Sequence, residues 1–212
     1  MNPYRDFNEW VNSYVFSKSF IQITMNSMGH KWGYYLLCYL RDLIAGTIVY
    51  WGTAGIWHAM VYVVYGKEIF ESKERPYPES SLIRDQQILA QSSLFMYAAL
   101  PIVSEYFIEE GYTKAYFYVE EVGWHMYAAY FVVYLTLVEI GIYWMHRTLH
   151  ENKFLYNNVH ALHHTYDHHS TLTPWASIAF NPLDGILQAS PYVAMMFVVP
   201  MHYFTHVGLL FF

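Results

Sequence analysis

Five histidines within nineteen residues carry the reactive potential of this chain: His146-Arg147-Thr148-Leu149-His150, then His160-Ala161-Leu162-His163-His164. Residues three or four apart share one face of a helix, so His146 and His150 should point together, as should His160, His163 and His164. Neutral imidazole suits iron, zinc and copper. A structural zinc site takes four ligands and favours cysteine, whereas five histidines with few carboxylates fit a two-metal site better. An apolar run ending Val138-Glu139-Ile140-Gly141-Ile142-Tyr143-Trp144-Met145 leads straight into the first pair. The candidate ligands therefore lie where a membrane helix would emerge.

The composition supports that placement. The chain has 212 residues, 55% hydrophobic and 13% charged, against about 25% charged in an average soluble domain. The mean hydropathy of +0.14 understates the apolarity, because that scale penalises tyrosine and 22 tyrosines are present. Tyrosine and tryptophan are favoured at membrane–water interfaces. The expectation is an all-α integral membrane protein rather than a soluble bundle with an aromatic core. A net charge of −6 with scattered basic residues argues against nucleic acid as a partner. The single Cys38 excludes an internal disulfide framework. The N-terminus has no basic-then-apolar signal pattern, so the membrane segments themselves should target the protein.

About four transmembrane or re-entrant helices are expected, since crossing the hydrocarbon takes roughly 20 helical residues. They fall at about 43–65, after Arg41 and Asp42; 88–108, with Pro101 and Glu105; 122–145, running into the histidines; and 186–212. The last contains Pro191, Pro200, His202 and His206, so it should be bent or re-entrant and packed on protein. Three regions follow: a partly interfacial 1–40, the first two membrane helices with their loops in 41–121, and a histidine-bearing region in 122–212. The loop at 66–87 holds Lys67, Lys73, Arg75 and Arg84, while that at 109–121 holds only Lys114 beside four glutamates. By the positive-inside rule the histidine-lined helical site is cytosolic, with Arg147 and Lys153 in agreement. Arg5, Lys18, Lys31 and Arg41 stand against that orientation.

The pattern H-x-x-x-H followed by H-x-x-H-H resembles the first two histidine boxes of the membrane fatty acid hydroxylase/sterol desaturase superfamily. The resemblance is closest to its plant-type C-5 sterol desaturases (delta-7-sterol C-5(6) desaturases, or lathosterol oxidases). It is carried by Leu43-Ile44-Ala45-Gly46-Thr47, the run from Val138 to Arg147, Leu162-His163-His164-Thr165-Tyr166, the run from Asn181 to Ala189, and Pro200-Met201-His202-Tyr203-Phe204-Thr205-His206. It implies a non-haem di-iron oxidoreductase of the endoplasmic reticulum membrane. Such an enzyme uses O2, and electrons from a b-type cytochrome and an NAD(P)H-dependent reductase, to introduce the C-5(6) double bond of a delta-7 sterol in sterol biosynthesis. Removing hydrogen from a saturated ring carbon is beyond acid–base side chains, which fits a redox metal. By matching boxes, His146, His150, His160, His163 and His164 are implied iron ligands. The alternatives are another lipid hydroxylase, a C-4 methyl sterol oxidase, or a catalytically inactive membrane homologue that partners active enzymes.

The family's third box, again H-x-x-H-H, lies beyond the point where this chain stops at Phe212, and Asn181 stands where the family usually has histidine. The expectation is a C-terminally truncated copy whose ligand set is incomplete for two irons. His168 and His169, without family counterpart, read as a solvated loop pair. Glu139, seven positions before His146, could fix the tautomer of a ligand histidine from the same helix. Asp184 either does the same or caps the helix beginning near Gly185. His202 and His206, i and i+4, either face the metal site or pack within an apolar run. Glu105 and His58 read as interhelical hydrogen-bonding groups, and Tyr143 and Trp144 as interfacial anchors.

Overall fold

The computed structural model describes residues 2–71, 76–168 and 171–211. Lys73 and Arg75 of the first loop, and His169 of the histidine pair, lie outside the described residues. The described chain is almost entirely helical, as the composition predicts, and divides into two compact units. The first comprises residues 1–44, 98–145 and 187–212, the second residues 45–97 and 146–186.

In the first unit, helix α1 (Pro3–Val15) starts where the Asn2 side chain accepts a hydrogen bond from the Arg5 N–H, with Pro3 in the first turn. Helix α2 (Lys18–Met28) is capped by Ser17. It ends at Gly29, whose φ of +76° only glycine adopts without strain. Helix α3 (His30–His58) follows directly. The sequence placed this span at about 43–65, with Arg41 and Asp42 outside it. Instead both sit inside α3 and are buried, because each is neutralised there. Arg41 Nε donates to Asp42 Oδ1 at 2.9 Å, and Nη2 donates to Glu105 Oε1 at 2.8 Å on α5 (Ala99–Glu109). Nη1 donates to Asn8 Oδ1 of α1 at 2.8 Å. Glu105 thus makes the interhelical contact expected of it.

Helix α6 (Trp124–Glu151) begins after Gly123, at φ +79°, and runs unbroken into the first histidine pair. The expected fourth stretch is two helices, α8 (Pro182–Met195) and α9 (Tyr203–Phe211). Between them Met201–His202 pairs in parallel with Ala115–Tyr116, a two-residue strand pair that no sequence period announced. The first unit's core gathers Ile108, Tyr134, Val138, Met196, Val199, Met201 and Tyr203.

Among the described residues, two helical stretches are long and apolar enough to cross a bilayer: Ser80–Glu109 and Trp124–Glu151. The core helix of a soluble protein would hide its apolar side chains. In the most apolar window of Trp124–Glu151, however, only 11% of residues are buried inside the protein, and Val132, Val133, Ile140, Tyr143 and Trp144 face outward. A bilayer stabilises that exposure and water does not.

In the second unit, α4 (Ser80–Tyr97) fastens the loop that follows the histidines. Gln86 Nε2 donates to Thr171 O at 2.7 Å, and two turns later Ser93 Oγ donates to Phe180 O at 2.8 Å. From α3, Tyr50 donates to Trp175 O at 2.8 Å, and the Trp175 indole N–H reaches His58 Nδ1 at 3.2 Å. His58 is accordingly a satisfied structural histidine.

Candidate metal centre

His146 and His150 occupy the last two turns of α6. Asn152 stops that helix, its side chain accepting hydrogen bonds from the N–H groups of Phe154 and Leu155 and so starting the short α7 (Lys153–Leu155). The chain then winds as a wide π turn over Tyr156–His160 and a tight 3-10 turn over Ala161–Tyr166. The sequence reading had an α-helix here. The tighter winding still aligns the histidines, because residues three apart eclipse one another in a 3-10 turn. The His160 and His163 rings are accordingly stacked, 5.0 Å apart and inclined by 16°.

All five rings meet within the second unit. Ring centroids of His150 and His160 lie 4.5 Å apart, those of His146 and His160 4.7 Å, and those of His150 and His164 4.9 Å. Four Nε2 atoms converge. That of His150 is 3.1 Å from His146, 3.1 Å from His160 and 3.3 Å from His164, and the His160 and His164 atoms are 3.1 Å apart. A tetrahedral ion with metal–nitrogen bonds of about 2.0–2.1 Å spaces its ligand nitrogens about 3.4 Å apart, so the set fits such an ion.

The tautomers point the same way. Asp184 and His160 are both wholly buried, and Asp184 Oδ2 lies 3.0 Å from His160 Nδ1. A buried carboxylate there requires the proton on Nδ1 and leaves the His160 Nε2 lone pair facing the other rings. His164 Nδ1 has Asp167 at 3.4 Å, on the exposed side. Lone pairs brought this close repel unless a proton or cation lies among them. His163 stands differently: its Nδ1 is 3.5 Å from Asp184 Oδ2, and it forms a second group with His160 and Asp184. Burial lowers the pKa of the His163 imidazole against the opposing pull of Asp184. The ring is therefore neutral at pH 7, the form that binds metals.

Asp184 owes its position to its neighbours. Asn181, not Asp184, caps α8, its Oδ1 accepting from Leu183 N at 2.9 Å. Asn181 Nδ2 also donates to Asn158 O at 3.2 Å, tying the cap to the turn that carries His160. Asn181 is thus a structural tie between the start of α8 and the turn that carries His160. Gly185 admits the Tyr97 ring of α4, which would lie 2.5 Å from any β-carbon placed there. That close approach seats the first turn of α8, and Asp184 with it.

The remaining candidates have other partners. His206 is fully buried in the first unit, with Nε2 2.5 Å from Ser104 Oγ and Nδ1 3.0 Å from Tyr134 Oη. His202 engages Thr205 Oγ1 at 3.2 Å and Phe117 O at 3.1 Å. Every ring nitrogen of these two is occupied, which leaves none to ligate. Glu139 is exposed, and its electrostatic neighbour is Tyr192. Tyr156, which the sequence reading passed over, packs beside three of the imidazoles.

A helical membrane protein with clustered imidazoles where a membrane-length helix ends is the class that fold and site define. Residues 131–212 match the Fatty acid hydroxylase family. The chain is 42% identical over 173 residues to the Delta(7)-sterol-C5(6)-desaturase of Nicotiana tabacum, a match covering 82% of this chain and 63% of that protein. It is 41% identical over 178 residues to the Putative Delta(7)-sterol-C5(6)-desaturase 2 of Arabidopsis thaliana, covering 84% and 63%. With the Lathosterol oxidase of Rattus norvegicus it shares 37% identity over 114 residues, 52% of this chain and 37% of that one. The matches thus span 63% of the length of each plant relative. No solved structure matches. The resemblance carried by the histidine boxes is borne out: the chain matches the Fatty acid hydroxylase family over residues 131–212 and is similar to proteins named Delta(7)-sterol-C5(6)-desaturase and Lathosterol oxidase.

Proposed function

We propose that the chain carries the histidine-lined centre of an O2-dependent, non-haem iron sterol desaturase acting in sterol biosynthesis at the endoplasmic reticulum membrane. The observation that carries this reading is the convergence of the His146, His150, His160 and His164 Nε2 atoms, with His160 fixed by a buried Asp184. Those four imidazoles would hold one iron. His163, beside His160 and Asp184, is the fifth donor and the place where a second iron would begin. Iron there supplies the redox power needed to break an unactivated C–H bond. The chain's own part is to hold neutral rings in one tautomer, to keep the Asp184 side dry, and to present the centre at the end of a helix long enough to cross the bilayer. A sterol can then approach from the membrane. The names of the relatives support a delta-7 sterol as the substrate and C5(6) as the bond oxidised. The Lys/Arg distribution supports a cytosolic site, within reach of a b-type cytochrome and its NAD(P)H-dependent reductase as electron source.

The test is the sterol profile of a host lacking sterol C5-desaturase and expressing this chain. The expected result is a delta-5,7 sterol formed at the expense of the delta-7 sterol. An unchanged profile with the membrane-inserted, metal-bearing chain present would contradict the assignment.

A further inference from the structure

The four converging imidazoles are not equally held. His160 is buried against Asp184, whereas His150 is exposed and His164 is half-exposed, with the exposed Asp167 at 3.4 Å from its Nδ1. Among the described residues no carboxylate is hydrogen-bonded to His150. One aromatic ring lies against both. The Tyr156 centroid is 5.8 Å from that of His150 and 6.3 Å from that of His164, and the planes of Tyr156 and His164 are inclined by only 29°. The same ring is 6.1 Å from His160. Tyr156 opens the π turn, its N–H bonded to Asn152 O at 2.8 Å and its carbonyl accepting the Ala161 N–H. Its backbone is thus anchored at both ends of the segment that delivers His160. Its ring contacts with His160 and His164 place the three rings together on one side of the winding.

We propose that Tyr156 is a positioning residue for the metal centre: its ring is the flat wall that fixes the imidazole planes of His150 and His164. The inference rests on the metal-centre reading above and adds to it a residue that binds no metal itself. Stacked aromatic rings hold one another's planes in a way that a branched aliphatic side chain does not. The ring therefore carries the role, and the hydroxyl does not.

The experiment uses the full chain in detergent, loaded with Co(II) as a spectroscopic probe, in wild-type, Tyr156→Phe and Tyr156→Leu forms. Each is read by its visible absorption bands and by the rate of Co(II) release to an excess of chelator, with helical content checked by circular dichroism. Tyr156→Phe is expected to keep the wild-type spectrum and release rate. Tyr156→Leu, folded to the same helical content, is expected to shift the absorption bands and release Co(II) about tenfold faster, the low end for a group that orients a metal ligand. Wild-type spectrum and release in Tyr156→Leu would overturn the proposal, and so would a Tyr156→Phe chain that behaves like Tyr156→Leu. A wild-type chain that takes up no Co(II) overturns the metal-centre reading itself, and this proposal with it.

Discussion

Replacing His160 with alanine is expected to empty the centre, the purified chain keeping less than about a tenth of the wild-type metal after desalting. Two losses coincide at this residue. Its Nε2 is 3.1 Å from those of both His150 and His164, so it is a central member of the converging set. Its Nδ1 is also the hydrogen-bond partner of Asp184, a carboxylate with no solvent exposure. Removing a hydrogen-bond partner from a buried charged group costs upwards of about 1–3 kcal/mol, so the variant should unfold more readily as well as lose metal. Asp184→Asn separates the two effects. It keeps the side-chain volume and removes only the charge that holds the His160 tautomer, so metal affinity should drop about 10–100-fold without vanishing. Metal analysis of both variants decides the matter. A His160→Ala chain that retains its metal would remove His160 from the ligand set.

The second large effect lies in the first unit and is structural. Arg41→Met should destabilise the chain by about 3–5 kcal/mol, because it leaves Asp42 and Glu105 buried without their cation. The guanidinium also joins α1 to α3 and α5 through Asn8 and Glu105, and Tyr203 of α9 donates to the same Asn8 oxygen at 3.2 Å. A compensated variant, Arg41→Met with Asp42→Asn and Glu105→Gln, should recover most of the loss, since uncompensated charge rather than lost volume carries it. Denaturant titration in detergent reads both. An Arg41→Met chain within about 1 kcal/mol of wild type would show that the buried cluster is not ionised as drawn, since leaving a buried charge unpaired costs several times that.

What the sequence disclosed follows a physical line. His146 and His150 were legible because α6 is one regular helix, where i,i+4 spacing fixes a shared face. His160, His163 and His164 were legible as a group but not in their winding. The Asn152 stop precedes the π turn and Asn181 ties to Asn158 within it, and neither contact has a periodic signal. Asp184 was noticed for its charge. Its pairing with a ring 24 residues away depends on where α8 packs, which is set by Tyr97 filling the space at Gly185. The start of α3 was misplaced because Arg41 and Asp42 read as a boundary, whereas their mutual neutralisation makes them interior residues. His202 and His206 shared the i,i+4 spacing of the first box, yet Phe117, Ser104 and Tyr134 take up their nitrogens. Spacing alone does not distinguish a ligand from a satisfied core histidine. Tyr156 was missed because a lone tyrosine in an aromatic-rich chain carries no sequence signal.

The most direct test is X-ray absorption at the metal edge of the full chain, reconstituted with Fe(II) and freed of excess metal. The account predicts retained iron with an imidazole-dominated shell at about 2.0–2.2 Å, lost when His146 and His150 are replaced together. A chain that retains no iron, or one whose shell persists unchanged in that double variant, would contradict it.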